Sequence, residues 1–231
     1  MPNADSLIGN NGNNDPMKTA IVIGSTGLVG SELVKQLQAS PHYSSVVLLN
    51  RRPSGSAQPK VSERILDFNA PDLAGVWADD FYCALGTTLR KAGSQAAQRQ
   101  IDCEYPTMIA TSLRNQGVKR IALVSSVGAD AKAASFYLRT KGRLEENIIG
   151  LGFEQTVIVR PSFLIGRKNE VRMGEEAAIL LMKLLSPFMF GALRKYKGIE
   201  ASKVALCMVK AANSGAVGVR FIESDQIQVP A

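Results

Sequence analysis

Short apolar runs rich in β-branched residues alternate along this chain with longer segments in which apolar residues recur at helical spacing. The runs "TAIVIG" from Thr19, "SVVLLN" from Ser45, "ERILDF" from Glu63, "DFYCALG" from Asp80, "KRIALVSS" from Lys119 and "QTVIVRP" from Gln155 read as six strands. Between them, Leu28 to Ala39, Ser94 to Asn115 and Phe136 to Leu151 carry the helical period. Continuous apolar strands separated by amphipathic helices predict a parallel sheet covered on both faces, an α/β doubly wound fold with right-handed crossovers. Ligands of such sheets bind at the C-terminal ends of the strands.

After Pro161 the alternation weakens into a helix near Glu175 to Leu185, the stretch "SPFMFGALRKY", a helix near Ser202 to Ala212 and a late strand "GVRFIES". No internal repeat or linker divides the chain, so residues 17–231 read as one domain, with 161–200 as a substrate-covering segment. Its Leu-, Met- and Phe-rich part, Met173 to Tyr196, suits an apolar substrate pocket and a helix completing the core equally well. Residues 1–16, "MPNADSLIGNNGNNDP", read as a disordered polar tail, with neither the basic start nor the apolar core of a signal peptide.

Composition narrows the choices further. The 231 residues are 45% hydrophobic and 20% charged, ordinary for a globular chain with one substantial core. Apolar runs such as "AAILLMKLL" from Ala177 are broken by charge well short of the roughly 20 residues a membrane span needs, which argues against an integral membrane segment. Cys83, Cys103 and Cys207 are odd in number and widely spaced, suggesting neither a disulfide framework nor a zinc motif; a reducing cytoplasm is the expected compartment. The net charge of +7 is scattered, with no aromatic-interleaved basic stretch, so a small anionic ligand is favoured over nucleic acid.

The anionic ligand has an obvious seat. "AIVIGSTGLVGSELVKQL" puts Gly24, Gly27 and Gly30 at three-residue spacing where the first strand turns into its helix. Glycines there let backbone approach a pyrophosphate at the helix N-terminus, and the whole turn, Gly24, Ser25, Thr26, Gly27, Leu28, Val29 and Gly30, is the candidate cradle. NAD-selective sites carry an acidic residue about 20 positions further on, to hold the ribose 2′-hydroxyl. Here that place holds Asn50, followed by Arg51 and Arg52, which can pair with a 2′-phosphate; the cofactor expected is NADP(H).

In "FYLRTKGRLEE", Tyr137 and Lys141 lie at i and i+4 on one helix face. A phenol is a poor acid-base group at neutral pH, but a nearby ammonium favours the phenolate. The pair follows the fifth strand, whose end carries Ser125 and Ser126, either able to hydrogen-bond a substrate oxygen. The trailing "GRLEE" reads as solvent-facing helix.

The glycine turn, the strand-end "SS" and "YLRTK" resemble the short-chain dehydrogenase/reductase superfamily in its atypical or extended branch. More narrowly, "CALGTTLRKAG", "LVSSVGAD", "YLRTKGRLEE" and "VIVRPSFLIG" look like the Tat-interacting, oxidoreductase-like tumour suppressor family in its bacterial type. The likeness runs from about Lys18 to the C-terminus. It implies Tyr137 as acid-base residue, Lys141 as its pKa-lowering partner and ribose ligand, and Ser126, with Ser125 second, as the group orienting the substrate oxygen. It also implies adenine contacts at Asp67 and Phe68, a ribose wall at Leu85, Gly86 and Thr87, and a loop facing the nicotinamide at Arg160, Pro161 and Ser162.

The expected function is therefore NADP(H)-dependent hydride transfer to or from a small carbonyl or alcohol substrate. The alternative is an NADP(H)-sensing regulatory protein that reports to a protein partner without turnover. A sugar-nucleotide epimerase and a semialdehyde-dehydrogenase-like enzyme, with Cys83 as nucleophile, rank lower. His42 stands alone, so no histidine triad or metal cluster is expected. The long helices after strands four and five leave a homodimer open.

Overall fold

The computed structural model describes residues 17–55, 58–165 and 198–227. Seven strands form one parallel sheet: β1 (Lys18–Ile23), β2 (Tyr43–Asn50), β3 (Val61–Ile65), β4 (Asp80–Cys83), β5 (Arg120–Val124), β6 (Gln155–Arg160) and β9 (Gly218–Glu223). Their order is β3-β2-β1-β4-β5-β6-β9, so the chain reverses direction across the sheet between β1 and β4. That switch point is where doubly wound sheets open a crevice for ligand.

Alternation along each strand builds two cores. On one face Ala20, Val22, Val46, Leu48 and Tyr82 pack with Leu33 and Leu37 of α1 (Leu28–Ala39) and with Val204 and Met208 of α6 (Ala201–Ala212). On the other, Ile21, Ile23, Phe81, Cys83, Ile121 and Leu123 meet Ile109 and Leu113 of α4 (Tyr105–Asn115), and Leu144 and Ile148 of α5 (Phe136–Gly150). At the N-terminal edge, buried Asp80 accepts hydrogen bonds from Tyr43 and Arg120, and Asn213 donates to the Tyr43 hydroxyl at 2.9 Å. This polar plug ties β2, β4 and β5 to the end of α6, away from the crevice.

The expected helix from Ser94 to Asn115 is broken. A short helix α2 (Leu89–Ala92) and α3 (Gln95–Arg99, capped by Ser94) precede a π-helical turn over Gln100–Glu104, which leads into α4. Two further strands, β7 (Leu164–Ile165) and β8 (Ile199–Glu200), pair separately, and α7 (Ser224–Ile227) follows β9. The tail, the helix expected near Glu175 and most of the covering segment lie outside the described residues. No helix among the described residues is long and apolar enough to cross a membrane.

Candidate functional site

Gly24 leaves β1 at φ +79°, the left-handed region that favours glycine. A Cβ there would lie 2.5 Å from the carbonyl carbon of Ala84 and 2.6 Å from the Leu85 nitrogen, so the β1 and β4 ends meet only because the side chain is absent. A Cβ on Gly30 would sit 2.0 Å from the Gly24 oxygen, and Gly27 donates its N–H to that same oxygen at 3.0 Å. Leu28 and Val29 turn into the core, leaving backbone to line the turn. Helix α1 has no side-chain cap and no acidic residue in its first turn, so its positive end is not offset by a carboxylate. Bare backbone at an uncapped helix start fits a dinucleotide's pyrophosphate. Gly30→Ala is expected to weaken nucleotide binding on the order of tenfold or more, because overpacking must push the turn open; titration by nucleotide fluorescence checks it.

Ser25 is buried and donates to Asn50 Oδ1 at 2.8 Å. Arg51 and Arg52, next along the turn, are exposed. Asp67 lies exposed beyond β3, its Oδ1 accepting from the Asn69 N–H at 2.9 Å. Phe68 is core, its ring edge-on to Tyr105 at 5.7 Å.

After β4, Leu85, Gly86 and Thr87 form the next wall. Thr87 donates its N–H to Asp102 at 2.6 Å, and a Cβ on Gly86 would lie 3.5 Å from Lys141 Nζ and 3.8 Å from Asp102 Oδ1. Asp102 is fully buried within the π-helical turn, and its Oδ2 has no hydrogen-bond partner among the described residues. Burial raises its pKa, against the opposing pull of the Lys141 ammonium, the Thr87 N–H and Gln98. Lys141 is only 4% exposed, whereas Tyr137, one turn earlier on α5, is 38% exposed.

Helix α5 reaches this position through Gly142, where a Cβ would lie 2.2 Å from the backbone of Asp130 and Ala131. The loop after β5 is thereby pressed against the turn carrying Tyr137 and Lys141, and Asp130 donates its N–H to the Leu138 carbonyl at 3.3 Å. The two serines separate here. Ser125 is buried and donates to Glu145 at 2.5 Å, while Ser126 is partly exposed and its hydroxyl makes only a 3.4 Å contact with the Val127 carbonyl.

Glu145 corrects the expectation that "GRLEE" faces solvent. Gly142, Leu144 and Glu145 are buried; Arg143 and Glu146 are the exposed pair. Arg160 holds Glu145 by two hydrogen bonds, 3.0 Å from Nε and 2.5 Å from Nη2, reaches Glu223 at 3.0 Å and lies 4.4 Å over the Phe221 ring. Its guanidinium joins α5 to β9. Pro161 is buried, with its carbonyl accepting from Val127 at 3.0 Å, and Ser162 donates its N–H to Ser224 at 3.2 Å. Cys83 is fully buried, and burial pushes its thiol up to about 11, so it stays protonated at neutral pH and does not suit a nucleophile.

Asp102, Gly142 and Glu145 were not among the residues expected here. Their signal was spacing: Asp102, Pro106, Ile109 and Leu113 recur at helical period on the buried stripe, as do Lys141, Glu145 and Ile148.

No family model matches the chain. "Protein FMP52, mitochondrial" of Candida glabrata is 32% identical over 224 residues, covering 91% of this chain and 94% of its own length. The protein of the same name in Eremothecium gossypii is 30% identical, covering 90% of this chain and 95% of itself. The chain belongs to the FMP52 family.

These relatives overturn the expected cytoplasmic compartment, since all carry "mitochondrial" in their names. Unpaired cysteines distinguish reducing from oxidising surroundings but hold no address. Among solved structures, MoeE5 in complex with UDP-glucuronic acid and NAD superposes with a TM-score of 0.68 at 16% identity, covering 90% of this chain and 79% of that one. The UDP-glucose 4-epimerase of Thermotoga maritima, solved with UDP-glucose, gives 0.66 at 14% identity, with 89% and 76% covered. The fold is the Rossmann-like α/β fold that the sequence predicts.

Proposed function

We propose that this protein is a mitochondrial, NADP(H)-dependent oxidoreductase of short-chain dehydrogenase/reductase type that acts on a small carbonyl or alcohol substrate. The observation that carries the reading is Lys141, buried on α5 with its ammonium beside Gly86, one turn below an exposed Tyr137 and next to the glycine-bounded crevice. A sensor needs the cradle alone; a buried lysine under an accessible phenol is what acid-base chemistry needs. The narrower kinship with the Tat-interacting, oxidoreductase-like family belongs to the same proposal and rests on "CALGTTLRKAG" and "YLRTKGRLEE".

The turn from Gly24 to Gly30 would hold the pyrophosphate, Arg51 and Arg52 the 2′-phosphate, Asp67 the adenine edge, and Gly86 and Lys141 the nicotinamide ribose. When bound, the cofactor supplies or accepts the hydride. Tyr137 gives the substrate oxygen its proton in reduction and takes it back in oxidation. Ser126 donates a hydrogen bond to that oxygen and fixes its orientation, while Ser125, spent on Glu145, holds the strand end.

The test is titration with NADPH, followed by NADPH oxidation across aldehydes, ketones and quinones. Ser126→Ala is expected to lower kcat on the order of tenfold or more, and Ser125→Ala to change it less than Ser126→Ala does. The reverse order would reassign the serines. Tight NADPH binding with no turnover on a broad panel would favour the sensor.

A further inference from the structure

The turn that carries the two arginines is tied at both ends to one carboxylate. Glu63 lies on the edge strand β3, in register with Leu48 of β2. Its Oε1 accepts from Asn50 Nδ2 at 2.6 Å and from the Ser54 N–H at 2.9 Å, and Oε2 accepts from the same N–H at 3.2 Å. Asn50 in turn accepts the Ser25 hydroxyl. A continuous polar chain, Ser25 to Asn50 to Glu63 to Ser54, thus runs from the glycine turn across the ends of β1 and β2 to the arginine turn. No hydrogen bond or ion pair joins Arg51 or Arg52 to another described residue, so the nearby carboxylate grips the turn and leaves both guanidiniums to solvent.

We propose that Glu63 is a specificity-determining positioning residue: by fixing Asn50 and Ser54 on either side of Arg51 and Arg52, it holds both guanidiniums where a ribose 2′-phosphate sits. The proposal rests on the NADP(H) reading above. An exposed arginine costs side-chain entropy when it is ordered on a ligand, and a turn pinned at both ends removes the backbone part of that cost. Glu63 does not itself act as the acceptor for a ribose hydroxyl, because its oxygens already receive the turn's N–H groups. The Asn50 hydrogen bond, supported by those of Ser54, holds its carboxyl below the ordinary range, so it remains an anion able to grip both donors near neutrality.

Titration of the full chain with NADPH and NADH, for the native protein, Glu63→Ala and Glu63→Gln, tests this. Glu63→Ala is expected to weaken NADPH about tenfold or more and leave NADH within about twofold. Glu63→Gln keeps the length and one acceptor oxygen, so its NADPH loss should be smaller, again without a change in NADH; it also serves if the alanine variant does not fold. Equal losses for both cofactors would make Glu63 a merely structural residue, and no loss, or tighter NADPH binding, would overturn the proposal outright. A native protein that binds NADH as tightly as NADPH would defeat the NADP(H) reading itself, whatever the variants do.

Discussion

Tyr137→Phe is expected to lower turnover by roughly 10²–10⁴-fold, the usual contribution of a positioned acid-base group, while NADPH affinity stays within about twofold. The phenylalanine ring keeps the shape of an exposed helix position and removes only the hydroxyl. Lys141 and the glycine cradle are untouched, so cofactor binding has no reason to change. The measurement is a kcat and KM comparison on whichever carbonyl substrate the panel reveals, beside a fluorescence titration. A variant that keeps near-native kcat would remove Tyr137 from the chemistry and leave the lysine as a ribose ligand only.

The second large effect is on stability. Arg160→Ala is expected to cost about 3 kcal/mol, since it strips a buried carboxylate, Glu145, of a two-pronged partner. That is the low end for a broken buried pair, because the Arg160 side chain keeps 22% of its exposure. For a chain of this size the loss corresponds to a melting point lower by about 6–12 °C. Adding Glu145→Gln to the same variant should recover part of it, because the orphaned group is then neutral. A loss below about 1 kcal/mol would put the pair with ordinary surface salt bridges.

The sheet was legible because strands buried on both faces must be continuously apolar, and "TAIVI", "VVLL" and "IALV" leave little else to do. The candidate site was legible only where the proposed chemistry has a fixed address: glycines after the first strand, arginines after the second, a tyrosine and lysine after the fifth. Charged residues acting as anchors were not. Glu145 and Glu146 are adjacent and chemically identical, and only the partner brought by β6 makes one a buried bracket and the other a solvated charge. Glu63 is hidden in the same way, since its partners come from β2 and the turn beyond it. The resemblance implies Arg160 on a loop facing the nicotinamide; in the structure it ends β6, and the carboxylates of α5 and β9 engage its guanidinium.

The π-helical turn at Gln100–Glu104 works as a phase slip. An α-helix advances about 100° per residue, and a wider turn resets that count by roughly one position. The helix ahead of the slip buries only Gln98, the helix after it sets Ile109 and Leu113 in the core, and between them Asp102 and Cys103, neighbours in sequence, are both buried. The segment behaves like a vernier between two scales: α4 stays in register with the core, while one acidic side chain is dialled inward to face the lysine.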